Sequence, residues 1–197
     1  IVNAIFQKFS DVQWIIGQPS YMNAEGQCIK ISGNAGTAYP REYIRNGWFR
    51  GALAGYLQQE SMFWRKSLWD KAGGLNLNYN YAADFDLWTR FADYAELYSV
   101  TVPLALFRKR PGEQKSSLGR DRYDTEVTEI SESLNAPSLV WKGIARRRLI
   151  VNHICRMLIW KRSKVIAYSE TKQDWVIKET MRPLSRISLA QALLEMK

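Results

Sequence analysis

The apolar residues are most regularly spaced between positions 83 and 95, and their spacing predicts an amphipathic helix from Ala83 to about Tyr94. Four of them follow Asp84 by three, four, seven and eleven positions and so share one helical face with it: Leu87, Trp88, Phe91 and Ala95. We expect this face to pack on the core, which places Asp84 at the buried edge of the first turn. A carboxylate there can serve simply as a helix cap, but Leu87 stands where a reciprocal capping box has Glu or Gln.

Shorter patterns predict strands and helices in alternation on both sides of this helix. Further helices are predicted at residues 1–9, 40–48, 67–74 and 119–134, and strands at 12–18, 27–32, 56–65, 96–101 and 104–109. The predicted fold class is therefore α/β, a short mixed sheet with flanking helices. A break at Asn135–Pro137 divides the chain into a domain at 1–135 and a basic extension at 136–197. The extension is predicted to be mainly helical, with a loop at 171–174.

The positive charge is concentrated in the second half of the chain. Residues 1–100 carry nine basic and nine acidic side chains, so the formal net charge of +9 belongs to residues 101–197. Residues 139–164 combine an apolar stripe with flanking Lys and Arg, which predicts a basic amphipathic helix. Such a helix can lie on an anionic membrane surface or pack its stripe on the domain and leave its charges in water. The sequence leaves both interpretations open.

Composition excludes several classes of protein. The chain is 46% hydrophobic over 197 residues, enough for one sizeable core. Cys28 and Cys155 form no metal or disulfide pattern, which fits a reducing compartment. The single His153 excludes a site built from several histidines. No run of eighteen apolar residues predicts a transmembrane helix.

Several motifs occur in an order typical of one enzyme family. The strand and turn at 12–26 precede Gln-Gln-Glu-Ser-Met-Phe-Trp-Arg at 58–65 and Leu-Trp-Asp-Lys-Ala-Gly-Gly-Leu at 68–75. Ala-Asp-Phe-Asp-Leu-Trp-Thr-Arg follows at 83–90, and Pro-Leu-Ala-Leu-Phe-Arg begins the segment 103–116. Together they resemble the second half of the catalytic domain of family 2 glycosyltransferases, which are inverting enzymes with a GT-A fold. The resemblance implies a partial GT-A fold.

The resemblance does not extend to the first half of the family's catalytic domain. That half carries the nucleotide-binding strands and an Asp-x-Asp motif that holds a divalent metal, Mg²⁺ or Mn²⁺, on the sugar nucleotide. No Asp-x-Asp precedes the matching region, and Asp84-Phe-Asp86 matches the later catalytic motif by its place in the order. We therefore expect the chain to begin inside a domain, with the metal ligands in a longer parent protein, and the isolated chain to be inactive.

The resemblance assigns Asp84 as the general base, since it matches the Asp of the family's Glu-Asp pair. The Glu of that pair is replaced by Ala83. Asp86 is expected to face solvent or to support the site as a further acidic contact. Polar groups beside a Trp suit sugar recognition, and strand alternation would put Gln59 and Ser61 on one side. Trp64 is either a stacking platform for the sugar or a core residue.

Four later residues are candidates for contacting the departing diphosphate, because cations should offset its negative charge. They are Arg108, Arg110, Lys115 and Ser116. The alternative for the two arginines is a solvated strand end. The resemblance implies a nucleotide-sugar donor and a glycan or lipid-linked acceptor. It also implies a cytoplasmic location, peripheral on the inner face of a bacterial plasma membrane.

Two other functional classes compete with this interpretation. A pI near 9.6 and interleaved Trp and Arg are features of nucleic-acid-binding modules, but residues 1–100 carry no net charge and no nucleic-acid motif occurs. We therefore expect no nucleic-acid partner. A non-catalytic family member that acts as a scaffold is the second alternative, and Ala83 and Arg110 are the departures from the family pattern that favour it.

Overall fold

The protein has an α/β fold with two mixed sheets. The structure is a computed structural model that describes residues 1–31, 38–50, 55–110, 112, 119–134 and 160–183. Its helices are α1 (Val2–Lys8), α2 (Arg41–Arg45), α3 (Lys66–Ala72), α4 (Ala83–Tyr94) and α5 (Arg120–Ser133). Its strands are β1 (Trp14–Ile16), β2 (Ser20–Met22), β3 (Cys28–Ile31), β4 (Met62–Trp64), β5 (Leu97–Val100), β6 (Phe107–Arg108), β7 (Trp160–Ser169) and β8 (Asp174–Pro183).

The larger sheet has five strands in the order β4-β1-β5-β7-β8. Strands β1, β5 and β7 are parallel, and β4 and β8 are antiparallel to their neighbours. The three parallel strands therefore end at one edge of the sheet, which we call the carboxyl edge, and begin at the opposite, amino edge. In sheets of this kind, ligands bind at the carboxyl ends of the strands.

The smaller sheet has the order β3-β2-β6. The turn at 23–26 was predicted to join strands at 12–18 and 27–32, but in the structure it joins β2 to β3. The first predicted strand forms β1 instead, in the larger sheet. Gln58 ties the two sheets together, because its side-chain amide bonds both backbone groups of Ser20, at 3.0 and 2.9 Å.

Helix α4 packs on the larger sheet through aromatic side chains. Phe91 is completely buried, with its ring centroid 5.3 Å from that of Trp14 in β1, 5.5 Å from Trp88 and 5.8 Å from Trp64. Helix α1 covers the other face of the sheet, where Ile5 packs in a second cluster. Helix α4 has the bounds predicted from its apolar spacing, 83 to 94.

The prediction of helix after residue 137 is wrong over 160–183, where the chain forms a β-hairpin. Strand β7 pairs in parallel with β5, and β8 folds back on β7 across a turn at 170–173, which overlaps the predicted loop at 171–174. Residues 160–164 of the predicted basic helix are therefore extended; the rest of that helix lies outside the described residues. The buried Arg182 fixes the hairpin by donating to the Ala38 carbonyl at 2.6 Å. Across the described ranges, no helix is long and apolar enough to cross a bilayer.

Candidate functional site

The start of α4 lies at the carboxyl edge of the larger sheet. Two residues join α4 to β5, so the helix ends near the amino edge and runs back from the carboxyl edge. A 3₁₀ turn, Gln59–Ser61, lies at the same edge because the Ser61 carbonyl accepts from Gly17, directly after β1, at 3.0 Å. A Cβ at Gly17 would lie 2.6 Å from the Leu104 backbone nitrogen, so only glycine fits this close contact.

Asp84 is the second residue of α4 and is half-buried. Its Oδ1 accepts from the Phe85 N–H at 2.8 Å, and no side chain in the described part of the chain hydrogen-bonds to it. The N-cap residue of α4 is Ala82, which makes no side-chain cap. Asp84 is thus not the N-cap of its helix, and it retains acceptor capacity for another group.

Burial raises the pKa of the Asp84 carboxyl above its ordinary value of 3.8, and the nearby charge of Glu60 acts in the same direction. Burial also raises the pKa of the Tyr123 phenol, with the Asp84 charge as the next cause and Tyr56 after it. The Tyr56 and Tyr123 rings are 6.4 Å apart. These four residues, Tyr56, Glu60, Asp84 and Tyr123, form what we call the Asp84 cluster. Because the pKa of Asp84 is raised in the folded state, its contribution to stability is fully present below pH 3.8. That contribution is lost as the pH rises and Asp84 ionises in the folded protein.

The loop before α4 is held by Glu126 from α5. Its carboxylate accepts three consecutive backbone N–H groups, from Asn80 at 3.0 Å, Tyr81 at 2.8 Å and Ala82 at 2.7 Å. This contact was not predicted, because Glu126 lies 44 residues beyond Ala82 in a largely polar helix. Its only sequence signal is its place just before the buried Val127.

We expect Glu126→Ala to lower the free energy of unfolding by about 2 kcal/mol, since it leaves three N–H groups without their charged acceptor. Urea unfolding of the variant measures the loss. Glu129→Ala is the matched control, because Glu129 is exposed on the same helix and should change stability by less than about 0.5 kcal/mol. Equal effects of the two substitutions would show that Glu126 does not anchor the loop.

Asp86 does not face solvent, contrary to one expectation. It is 9% exposed, and its Oδ2 accepts from Arg90 Nη2 at 2.6 Å and Nε at 3.0 Å. Arg90 also donates to the Ala72 carbonyl at the end of α3. Asp86 therefore joins α4 to α3 through Arg90, and both of its bonds to Arg90 are accepted by Oδ2.

The structure separates the predicted sugar-binding residues. Residues 59–61 form a 3₁₀ turn rather than a strand, so the expected alternation fails there. Gln59 is exposed, whereas Ser61 is completely buried and donates to the Ala105 carbonyl at 3.0 Å. Trp64 stacks on Trp69, with an interplanar angle of 10°. Of the three, Gln59 is the one whose side chain is open to solvent at the carboxyl edge.

Two of the predicted diphosphate contacts lie in the described residues. Arg108 ends β6 and is exposed, with its Nη1 3.3 Å from the Ala24 carbonyl. Arg110 is exposed two residues later. Lys115 and Ser116 lie outside the described residues. The Ser61–Ala105 bond connects the 3₁₀ turn to the segment that leads into β6, so both arginines follow directly from a segment fixed at the carboxyl edge.

Metal-ligating groups are not assembled in the described residues. Asp84 and Glu60 supply two carboxylates to the Asp84 cluster, and no third His, Cys, Asp or Glu joins them there. The metal implied by the resemblance therefore stays a prediction.

Comparison of the chain with protein-family models and with curated proteins finds no match. The site is thus defined by its own geometry: a half-buried carboxylate with a raised pKa, at the edge of the sheet where ligands bind in α/β folds.

Proposed function

We propose that this chain is the acceptor-side part of an inverting glycosyltransferase of the GT-A type, with Asp84 as its general base. The observation that carries the proposal is Asp84 itself. It is half-buried at the carboxyl edge and bonds to no side chain of the described residues, and burial raises its pKa. The sequence motifs around it support the choice of reaction.

Inverting sugar transfer needs a base on the acceptor side. The acceptor oxygen forms a bond to the anomeric carbon, the bond from that carbon to the diphosphate oxygen breaks, and the hydroxyl proton passes to Asp84. A raised carboxyl pKa makes the Asp84 carboxylate a stronger base than an ordinary aspartate. Burial is the main cause of the raised pKa, and the nearby negative charge of Glu60 adds to it, because both disfavour ionisation of the Asp84 carboxyl.

Exposed groups near the same edge are suited to the rest of the reaction. Gln59, beside Glu60, can hydrogen-bond hydroxyl groups of a sugar. Arg108 and Arg110 can offset the charge of the departing nucleoside diphosphate. The proposed donor is a sugar nucleotide, and the proposed acceptor is a glycan or lipid-linked sugar at the cytoplasmic face of a bacterial membrane.

The test uses the longer parent protein with its upstream half. Release of nucleoside diphosphate is measured for a panel of sugar nucleotides and glycan acceptors, with and without Mn²⁺, and binding of each donor is measured by calorimetry. We expect metal-dependent release from at least one donor. A parent protein that neither releases nor binds any nucleoside diphosphate would contradict the proposal.

A further inference from the structure

A cavity of about 630 Å³ lies at the amino edge of the larger sheet, opposite the edge that carries Asp84. The first residues of β7, 160–162, and the residue before β5, Glu96, line one side of it, and Met181 near the end of β8 closes the hairpin side. Residues 40–42 and 45, in and just before α2, line the rest. Its volume is within the range of small-ligand sites, roughly 300–1,000 Å³.

The two acidic side chains of the cavity are already neutralised. Glu42 pairs with Lys161 at 2.5 Å, and Glu96 pairs with Lys164 at 3.0 Å. Arg45, another cation of the lining, pairs with Asp93 at 2.7 Å. These ion pairs hold the walls of the cavity in place. The net positive charge of the cavity therefore comes from its other basic residues.

Two guanidinium groups of the cavity are not offset by a carboxylate among the described residues. Arg41 donates its Nε to the Ala92 carbonyl at 2.5 Å and its Nη2 to the Asp93 carbonyl at 2.7 Å, which anchors it at the end of α4. The side chain of Arg162 is exposed and makes no hydrogen bond or ion pair within the described ranges. One arginine is therefore held in place by neutral acceptors, and the other is available to a ligand.

An apolar surface adjoins Arg162. Trp160 is 51% exposed and Met181 is 49% exposed, and Met181 lies directly opposite Arg162 in the pairing of β7 with β8. Directly opposed residues share one face of a sheet. The cavity thus offers cationic forks beside an indole and a thioether, and arginine forks match phosphate oxygens in geometry as well as charge.

We propose that this cavity binds the phosphate group of a phosphate-bearing ligand through Arg162 and Arg41, with the ligand's ring or acyl portion against Trp160 and Met181. The phosphate belongs either to a soluble nucleotide or to the headgroup of an anionic phospholipid. The site lies at the opposite end of the sheet from Asp84 and does not depend on the function proposed for that residue.

The test uses this chain with two probes. Binding of adenosine monophosphate is measured by calorimetry, and binding to vesicles of phosphatidylglycerol is measured by co-sedimentation, with phosphatidylcholine vesicles as the neutral reference. Arg162→Glu is compared with Arg120→Glu, which makes the same change of charge at an exposed position on α5. Arg162→Ala repeats the test without charge reversal, and circular dichroism checks that each variant is folded.

We expect wild type to bind at least one probe and Arg162→Glu to weaken that binding by about tenfold or more, with Arg120→Glu within about twofold of wild type. Loss of nucleotide binding identifies a soluble ligand, and loss of vesicle binding identifies a lipid headgroup. Binding of neither probe by wild type would overturn the proposal. Equal weakening by the two Arg→Glu variants would also overturn it, because overall charge alone would then explain binding.

Discussion

Asp84→Asn is expected to lower the rate of the proposed glycosyl transfer by about 10²–10⁴-fold, the usual contribution of a positioned general base. Asparagine has nearly the same shape and can still accept the Phe85 N–H bond that Asp84 accepts at 2.8 Å. It cannot take up the acceptor proton. Because the interaction lost belongs to the transition state, we expect kcat to fall and KM for the acceptor to change little. Initial rates of nucleoside-diphosphate release measure both constants.

The matched control is Asp70→Asn, which removes a carboxylate at the surface of α3. Asp70 is exposed and pairs with Lys66 four residues earlier, so its loss should leave kcat within about twofold of wild type, as expected for an exposed helix pair. Turnover by Asp84→Asn close to that of Asp70→Asn would reduce Asp84 to a favourable charge at the start of a helix.

Phe91→Ala is expected to lower the free energy of unfolding by about 3–5 kcal/mol, the range for removing a buried aromatic ring. Phe91 is completely buried and contacts the rings of Trp14, Trp64 and Trp88. Four aromatic side chains meet there, so neighbouring groups cannot close the cavity without moving large rings. Urea unfolding followed by circular dichroism gives the difference.

Tyr94→Ala is the control for this substitution. Tyr94 lies on the same helix, is 46% exposed, and has the Lys71 ammonium 4.9 Å from its ring centroid. Its replacement should cost about 1 kcal/mol or less. A loss of that size for Phe91→Ala would mean that the aromatic cluster does not hold α4 on the sheet.

Helix α4 could be predicted from the sequence because its determinants are local. The apolar residues from Leu87 to Phe91 repeat with the helical period, and the helix has the bounds expected from them. The Asp86–Arg90 pair could also be predicted, because it is an acid four residues before a base on a helix. The burial of this pair could not be predicted, because it depends on the bond from Arg90 to the Ala72 carbonyl of a different helix.

The C-terminal hairpin could not be predicted in the same way, because its pairing partner is distant in sequence. Val165 of β7 lies opposite Ser99 of β5, and only this pairing makes Val165 and Ile166 core residues. Considered alone, the basic and apolar residues before and within 160–164 suit a helix as well as a strand. The turn near Gln173 was the exception, since a short polar run gives a local signal.

The residues of the candidate site also divide into those that local sequence patterns predict and those that depend on contacts between distant segments. Asp84 was found from its own helical face and from the motifs around it. Its neighbours Glu60 and Tyr123, and the Glu126 contact with the loop before α4, arise from packing of elements far apart in the chain. Ser61 was misassigned because a 3₁₀ turn replaced the expected strand and turned its hydroxyl toward the Ala105 carbonyl.

The most direct test of Asp84 as an available base, rather than a helix cap, is the pKa of its carboxyl group in this chain. The side-chain carboxyl carbon of Asp84 is followed by NMR through a pH titration, with Asp84→Asn to assign its signal. Burial beside Glu60 predicts a midpoint above 3.8. A carboxylate that serves the helix start as a cap is stabilised by N–H groups and the helix dipole, so a midpoint at or below 3.8 would contradict the role proposed for Asp84.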